Sequence, residues 1–231
     1  MSREYGFVES LTERQILLLR KIVNFQFGVI TLDFDEILFN TQEPVKKAFF
    51  EQTGFDYRSR KINRWSALAN WALADGWKKT WEEAAAIEAS VWADKKILEL
   101  AKPNVEIQRY SQEASLRGVK QIVVTTRIPE LKNSTFDSLT RFYPWLKEIS
   151  IRDKKESEGG LNGDVFKGII TASVGSELHF DDSVSSGRKV LELSLASLAM
   201  FPRSSELGVF RGNNRAIEFP DMKLFSVVQC Y

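Results

Sequence analysis

A chain of 231 residues, 43% hydrophobic and 27% charged, is long enough to bury a sizeable core and has an ordinary globular composition. Its formal net charge of +1 excludes a global electrostatic argument for binding long nucleic acid or an anionic membrane surface. The single cysteine, Cys230, excludes an intrachain disulfide framework, and with one histidine, His179, structural zinc lacks ligands. Residues 1–15 lack the basic-then-apolar layout of a signal peptide, and no run approaches the roughly 20 apolar residues that span a bilayer. A soluble cytoplasmic protein is the expectation.

The segment SLTERQILLLRKIV begins with Ser10 and Glu13 at capping-box spacing, and Leu11, Leu18 and Ile22 line one face of the predicted helix. It leads into the first central strand, FGVITLDF. From 41 to 102 the pattern turns helical. TQEPVKKAFFEQTG closes near Gly54 and RWSALANWALADG near Gly76. A third helix runs from Thr80 to about Ala101, opened by a Thr80–Glu83 capping box and stopped by Pro103. Trp65, Trp71, Trp77, Trp81 and Trp92 read as the core of this small module, with one or two available to stack a planar leaving group. Arg58, Arg60, Lys61 and Arg64 either place positive charge at its entrance or lie on the solvated surface.

Alternation of helix and strand then resumes. A helix over 104–117 ends at Gly118, and the strand KQIVVTT follows. Next come a helix over 130–142, the strand KEISIR, a loop at 154–160, a short helix near 165–174 and the strand ELHFDD. The helix SGRKVLELSLASLAM and a strand-like LFSVVQC close the pattern. Apolar strands separated by helices predict an α/β fold with a largely parallel sheet covered on both faces. Right-handed crossovers set the carboxyl ends of the strands along one ligand-binding edge.

Four features fall at or just beyond predicted strand ends: Asp33 with Asp35 in LDFDEI, Thr125 in VVTTR, Lys167 in GDVFKG, and Asp181 with Asp182 in HFDDS. Burying an anionic pair is costly unless a cation, a proton or a basic side chain compensates it. Mg²⁺ suits that need, being held by carboxylates together with substrate phosphate. Asp33 can then attack phosphorus, while Asp35 protonates the leaving oxygen and later deprotonates water. Thr125 and Lys167 grip the non-bridging oxygens. Arg127 is divided between phosphate and an ion pair. His179 reads as a strand residue packed beneath a helix, or as a contact that supports the site.

This ordered set resembles the four signature motifs of the haloacid dehalogenase-like superfamily, particularly its Mg²⁺-dependent phosphohydrolases, over about residues 26–200. The resemblance implies a Rossmann-like core, residues 1–40 with 103–231, of strand order 5-4-1-2-3, and a helical cap inserted at 41–102. It implies Asp33 as nucleophile and metal ligand, and Asp35 as acid/base whose backbone carbonyl also binds Mg²⁺. Thr125 becomes the phosphate-binding hydroxyl and Lys167 the residue that steadies the phosphoaspartate. Asp181 and Asp182 become the acidic metal ligands, the second directly or through water.

Two positions depart from the pattern or compete within it. Glu36 and Ile37 stand where the family usually has glycine and then threonine or valine, and Lys154 and Lys155 compete with Lys167. VVTTRIP, ISIRDK and FDDS resemble the deoxynucleotidase-like members, which makes a nucleotide the leading guess among small phosphorylated metabolites. The expected function is Mg²⁺-dependent phosphomonoester hydrolysis, with no long nucleic acid and no membrane as partner. The alternative is a catalytically weak binding or interaction protein that keeps the fold. Motif order and the inserted cap disfavour a signalling receiver, and near-neutral charge disfavours a nuclease. The sequence does not set an oligomeric state.

Overall fold

In the computed structural model, which describes residues 3–62, 66–152, 160–202 and 206–228, the chain alternates helix and strand around one long insertion. The elements are α1 (Arg3–Glu9), α2 (Glu13–Val23), β1 (Val29–Leu32), β2 (Phe39–Asn40), α3 (Gln42–Thr53), α4 (Ala67–Ala74), α5 (Trp81–Trp92) and α6 (Lys95–Leu100). They continue as β3 (Lys102–Pro103), α7 (Val105–Leu116), β4 (Lys120–Thr125), α8 (Lys132–Phe142) and β5 (Glu148–Ile151). The last are α9 (Gly163–Ser173), β6 (Leu178–Asp181), α10 (Val184–Leu193), β7 (Ser197–Met200), β8 (Ala216–Glu218) and α11 (Met222–Val228).

Six strands form one parallel sheet in the order β5-β4-β1-β6-β7-β8. Counted as core strands in chain order this reads 3-2-1-4-5-6, so the implied 5-4-1-2-3 arrangement is present with a sixth strand on one edge. The chain leaves β1 toward β4 on one side and returns to β6 on the other. That reversal opens a crevice at the carboxyl end of β1.

Each face of the sheet buries its own layer. Ile30, Leu32, Val123 and Phe180 pack with Ile22 of α2 and Tyr110 of α7. On the opposite face, Ile122 and Val124 meet Phe166 of α9, while Leu198 and Met200 meet Val184 and Leu191 of α10. Helices α9 and α10 approach so closely at Gly168 that a Cβ there would lie 2.8 Å from the Lys189 carbonyl oxygen. The contact fixes α9, and with it the neighbouring Lys167.

Helices α3 to α6 bury a separate cluster that includes Val45, Phe49, Tyr57, Leu68, Val91 and Ile97. Trp71, Trp77 and Trp92 pack against it, and Trp81 is 52% exposed. The chain enters and leaves this insertion through the antiparallel pair β2 and β3. Trp65, Arg64, Lys154, Lys155 and Cys230 lie outside the described residues. Among the described residues, no helix is long and apolar enough to cross a membrane.

The local expectations fail at five places. The expected helix over 186–200 ends at Leu193, and Ser197–Met200 becomes an interior strand. Ser194 is extended, and its hydroxyl donates to the Val190 carbonyl while accepting from Ala196 N–H. An apolar run buried on both faces carries no periodicity to separate helix from strand. LFSVVQC, expected as a strand, lies largely in the helix α11, and the edge strand is instead the three-residue β8. The Thr80–Ala101 helix is broken at Ala93 and Asp94, whose carboxylate accepts from Lys96 N–H and starts α6. At α2 the capping box is Thr12 with Gln15, not Ser10 with Glu13, because the Ser10 hydroxyl is donated to the Phe7 carbonyl. The short β2–β3 ribbon has too few residues to show a pattern in sequence.

Candidate active site

Strand alternation builds the centre. Side chains two residues apart on a strand share a face. Thr31 and Asp33 do so at β1, and His179 and Asp181 do so on β6. Parallel register pairs Thr31 with His179, so Asp33 and Asp181 stand side by side one pleat further on. Phe34, between the two leading aspartates, points into the core, is fully buried, and stacks on Phe39 with ring centroids 4.7 Å apart. An apolar anchor between two carboxylates thus holds the turn while leaving both acids on the crevice side.

Lys167 reaches this pair from α9. Its Nζ lies 2.8 Å from Asp33 Oδ2 and 2.9 Å from Asp181 Oδ2. Asp33 Oδ1 accepts from Phe34 N–H, and Asp181 Oδ1 accepts from Ser183 N–H, both at 2.8 Å. His179 Nε2 stands 2.9 Å from Asp181 Oδ2. Asp33, Asp181 and Asp182 each offer an oxygen within 4.8 Å of the others. The two carboxylates bracketing Lys167 exceed its single positive charge.

The charges divide unequally. Burial pushes Asp33 well above the ordinary carboxylate range, and Asp181, Asp35 and Asp182 add to that, while Lys167 opposes it. Burial acts the same way on Asp181, but Lys167, His179 and Ser183 N–H together hold it below the ordinary range. Burial alone would lower Lys167, yet the two carboxylates keep it above its usual value. Burial pushes His179 below its ordinary value, against the pull of Asp181.

A second group stands beside the first. Asp35 is held by Arg127, with Nε 3.1 Å from Oδ2 and Nη2 2.5 Å from Oδ1. The guanidinium carbon lies 4.9 Å from the Phe34 ring centroid, and Nη1 is buried without a partner. Thr125 closes β4 fully buried, its hydroxyl accepting from Arg127 N–H at 3.4 Å. The fold therefore groups Asp33, Lys167, Asp181 and Asp182, and places Asp35 and Thr125 around Arg127. The Asp35 carboxylate is engaged by arginine, not by the acidic cluster.

Glu36 adopts φ 62°, a left-handed conformation that favours glycine. Its carboxylate accepts from Thr41 N–H and Gln42 N–H at 2.9 Å each, capping α3 across the entry to the insertion. Asn104, at the exit, donates to the Glu36 and Ile37 carbonyls. The added carboxylate thus fastens the connection and does not join the acidic cluster. Glu36→Ala is expected to cost about 1–2 kcal/mol through the lost cap. Glu36→Gly should cost less, because glycine relieves roughly 1 kcal/mol of left-handed strain. Denaturant unfolding checks the order; an alanine variant as stable as wild type would remove the capping role.

Thr31 was not singled out from sequence, although a hydroxyl two residues before Asp33 repeats the His179–Asp181 spacing. That shared period of two was the available signal.

No protein-family model matches the chain, and no curated protein matches it in sequence. Solved structures do match in shape. A candidate phosphatase from Clostridium difficile superposes with a TM-score of 0.62 at 10% identity, covering 87% of this chain and 98% of that one. A HAD family hydrolase from Deinococcus radiodurans R1, crystallised with phosphate and sodium, gives 0.59 at 11%, covering 86% and 93%. A haloacid dehalogenase-like family protein from Streptococcus pneumoniae gives 0.57 at 11%, covering 87% and 97%. None of these three is described as a nucleotidase. Sheet order, inserted helices and these likenesses together give the chain the haloacid dehalogenase-like fold.

Proposed function

We propose that this chain is a Mg²⁺-dependent phosphomonoesterase that acts on a small phosphorylated metabolite in the cytoplasm through an aspartyl-phosphate on Asp33. The observation that carries the reading is the convergence of Asp33, Asp181 and Asp182 within 4.8 Å, with Lys167 bridging the first two. Mg²⁺ is held by carboxylate oxygens together with substrate phosphate, and the acidic triad offers such oxygens. The excess of carboxylate over lysine calls for further positive charge. Asp33, Asp181 and Asp182 would hold the ion, with the backbone carbonyl of Asp35. When bound, Mg²⁺ supplies positive charge that lets an anionic nucleophile meet an anionic phosphate. The phosphate and sodium in the Deinococcus hydrolase are consistent with such a site in this fold.

Asp33 attacks phosphorus, and Lys167 stays on its carboxylate to steady the phosphoaspartate. Asp35 must first be released by Arg127, whose guanidinium is drawn to the arriving phosphate, and take up a proton. It gives that proton to the leaving oxygen and takes one back from the water that hydrolyses the intermediate. The Thr125 hydroxyl donates to a non-bridging oxygen. Residues 41–102 act as a cap over the core of 1–40 and 103–231, excluding water and selecting the leaving group.

Release of inorganic phosphate from sugar phosphates, nucleotides and small organic phosphomonoesters tests this. Turnover of at least one class with Mg²⁺, lost with chelator, is the expected result. Silence across the panel with saturating Mg²⁺ would favour a binding protein that keeps the fold.

A further inference from the structure

The acidic cluster rests on a polar column that the proposed reaction leaves unused. On β1 and β6, Ile30, Leu32, Leu178 and Phe180 are apolar and fully buried, as the interior of a sheet demands. Thr31 and His179 are equally inaccessible, at 0% exposure each. An imidazole and a hydroxyl there cost free energy unless both are hydrogen-bonded. They are: Thr31 Oγ1 lies 2.9 Å from His179 Nδ1 and 3.0 Å from Ser176 Oγ, and His179 Nε2 lies 2.9 Å from Asp181 Oδ2.

The acidic end fixes one direction in this column: an ionised Asp181 only accepts, so His179 Nε2 carries a hydrogen. At the other ring nitrogen Thr31 Oγ1 braces Nδ1, and Ser176, whose hydroxyl donates to the Leu178 carbonyl, backs Thr31 in turn. Asp181 Oδ2 receives two donors, His179 and Lys167, which fill its two lone-pair sites. Oδ1 receives Ser183 N–H and keeps its second site for another partner.

We propose that His179, its ring braced by Thr31, is a positioning residue for divalent-cation binding: it anchors Asp181 through Oδ2 and leaves Oδ1 for the ion. The inference rests on the metal-dependent reading above and adds to it a part for two residues outside the acidic cluster. Lys167 alone cannot supply the restraint, because its rotatable ammonium also serves Asp33, whereas the histidine belongs to the same strand as Asp181 and to no other acid.

Calorimetric titration of MgCl₂ into metal-free protein tests the proposal without any substrate. His179→Leu should weaken Mg²⁺ binding about 10- to 100-fold, the usual cost of losing a hydrogen bond to a metal-binding side chain. His179→Gln, which keeps an amide N–H, should recover most of the loss. Thr31→Val should weaken binding in the same direction by a smaller factor, and should add little in the His179→Leu background because it acts through the ring. If His179→Leu does not fold by circular dichroism, the glutamine and valine variants decide the matter. A lowered Tm with unchanged Mg²⁺ affinity in the variants would reduce the column to packing and overturn the proposal. Full additivity of Thr31→Val with His179→Leu would also overturn it. Absence of Mg²⁺ binding by the wild type would instead sink the metal-dependent function itself, and this inference with it.

Discussion

Asp33→Asn is expected to abolish phosphate release while making the metal-free protein more stable at neutral pH. An amide has no anionic oxygen with which to attack phosphorus, and loss of a nucleophile costs about 10⁴-fold or more in turnover. The stability gain follows from the raised pKa of Asp33. The unfolded chain ionises this carboxyl near the ordinary value of 3.8, but the native state ionises it only at higher pH. Between those two points the unfolded state binds fewer protons, so the native state loses stability as pH rises. The asparagine variant is exempt from that loss. At pH 7.5 in chelator it should therefore melt at a higher temperature than the wild type. The difference should vanish near pH 4. Saturating Mg²⁺ should reverse it, since the wild type then binds the ion through a full set of carboxylates. Thermal melts across pH check the sign: a variant less stable than wild type at pH 7.5 without metal would show that Asp33 is not strained by its surroundings.

Lys167→Met has the opposite signature and the largest expected cost in stability. The ammonium lies between Asp33 and Asp181 at 2.8 and 2.9 Å, and all three side chains are nearly inaccessible. Removing one partner of a buried ion pair costs about 3–5 kcal/mol, because the remaining charge is left unpaired. Here two carboxylates are left facing each other. Against the usual total of about 5–15 kcal/mol, this brings the native state close to unfolding. Protonation or a divalent cation can replace the missing charge, so stability should partly return as the pH falls or with saturating Mg²⁺. Phosphate release should not return, because the group proposed to steady the phosphoaspartate is gone. Urea unfolding in chelator and in Mg²⁺ measures both halves. A methionine variant as stable as wild type in chelator at pH 7.5 would mean that another group neutralises the acids.

These effects are large because function sets an arrangement that packing alone would not choose. Buried carboxylates around one lysine are costly in the resting fold, and on the proposed function they become useful when a cation and a phosphate arrive. The same tension appears at Arg127, where a buried guanidinium holds Asp35 and keeps one nitrogen unsatisfied. An unsatisfied buried donor costs about 1–3 kcal/mol, which makes this pairing susceptible to an incoming anion.

The chain's own residues settled a good part of this. The apolar runs before Asp33 and before Asp181, each ending in acid, placed carboxylates at strand ends. Gly54 and Gly118, both at positive φ just beyond helix ends, marked two boundaries by their freedom from Cβ strain. Such features are local, so they are written in neighbouring residues. What the sequence could not decide depended on partners far along the chain. Ser197–Met200 is a strand because β6 and β8 flank it, not because its residues refuse a helix. Arg127 binds Asp35 across 92 positions, Glu36 turns to cap α3 and not toward the acidic cluster, and Lys167 meets Asp33 from a helix that Gly168 lets pack tightly on its neighbour. Composition and spacing announce which charges a chain carries; only the folded sheet, by excluding water from them, determines which of those charges must answer one another.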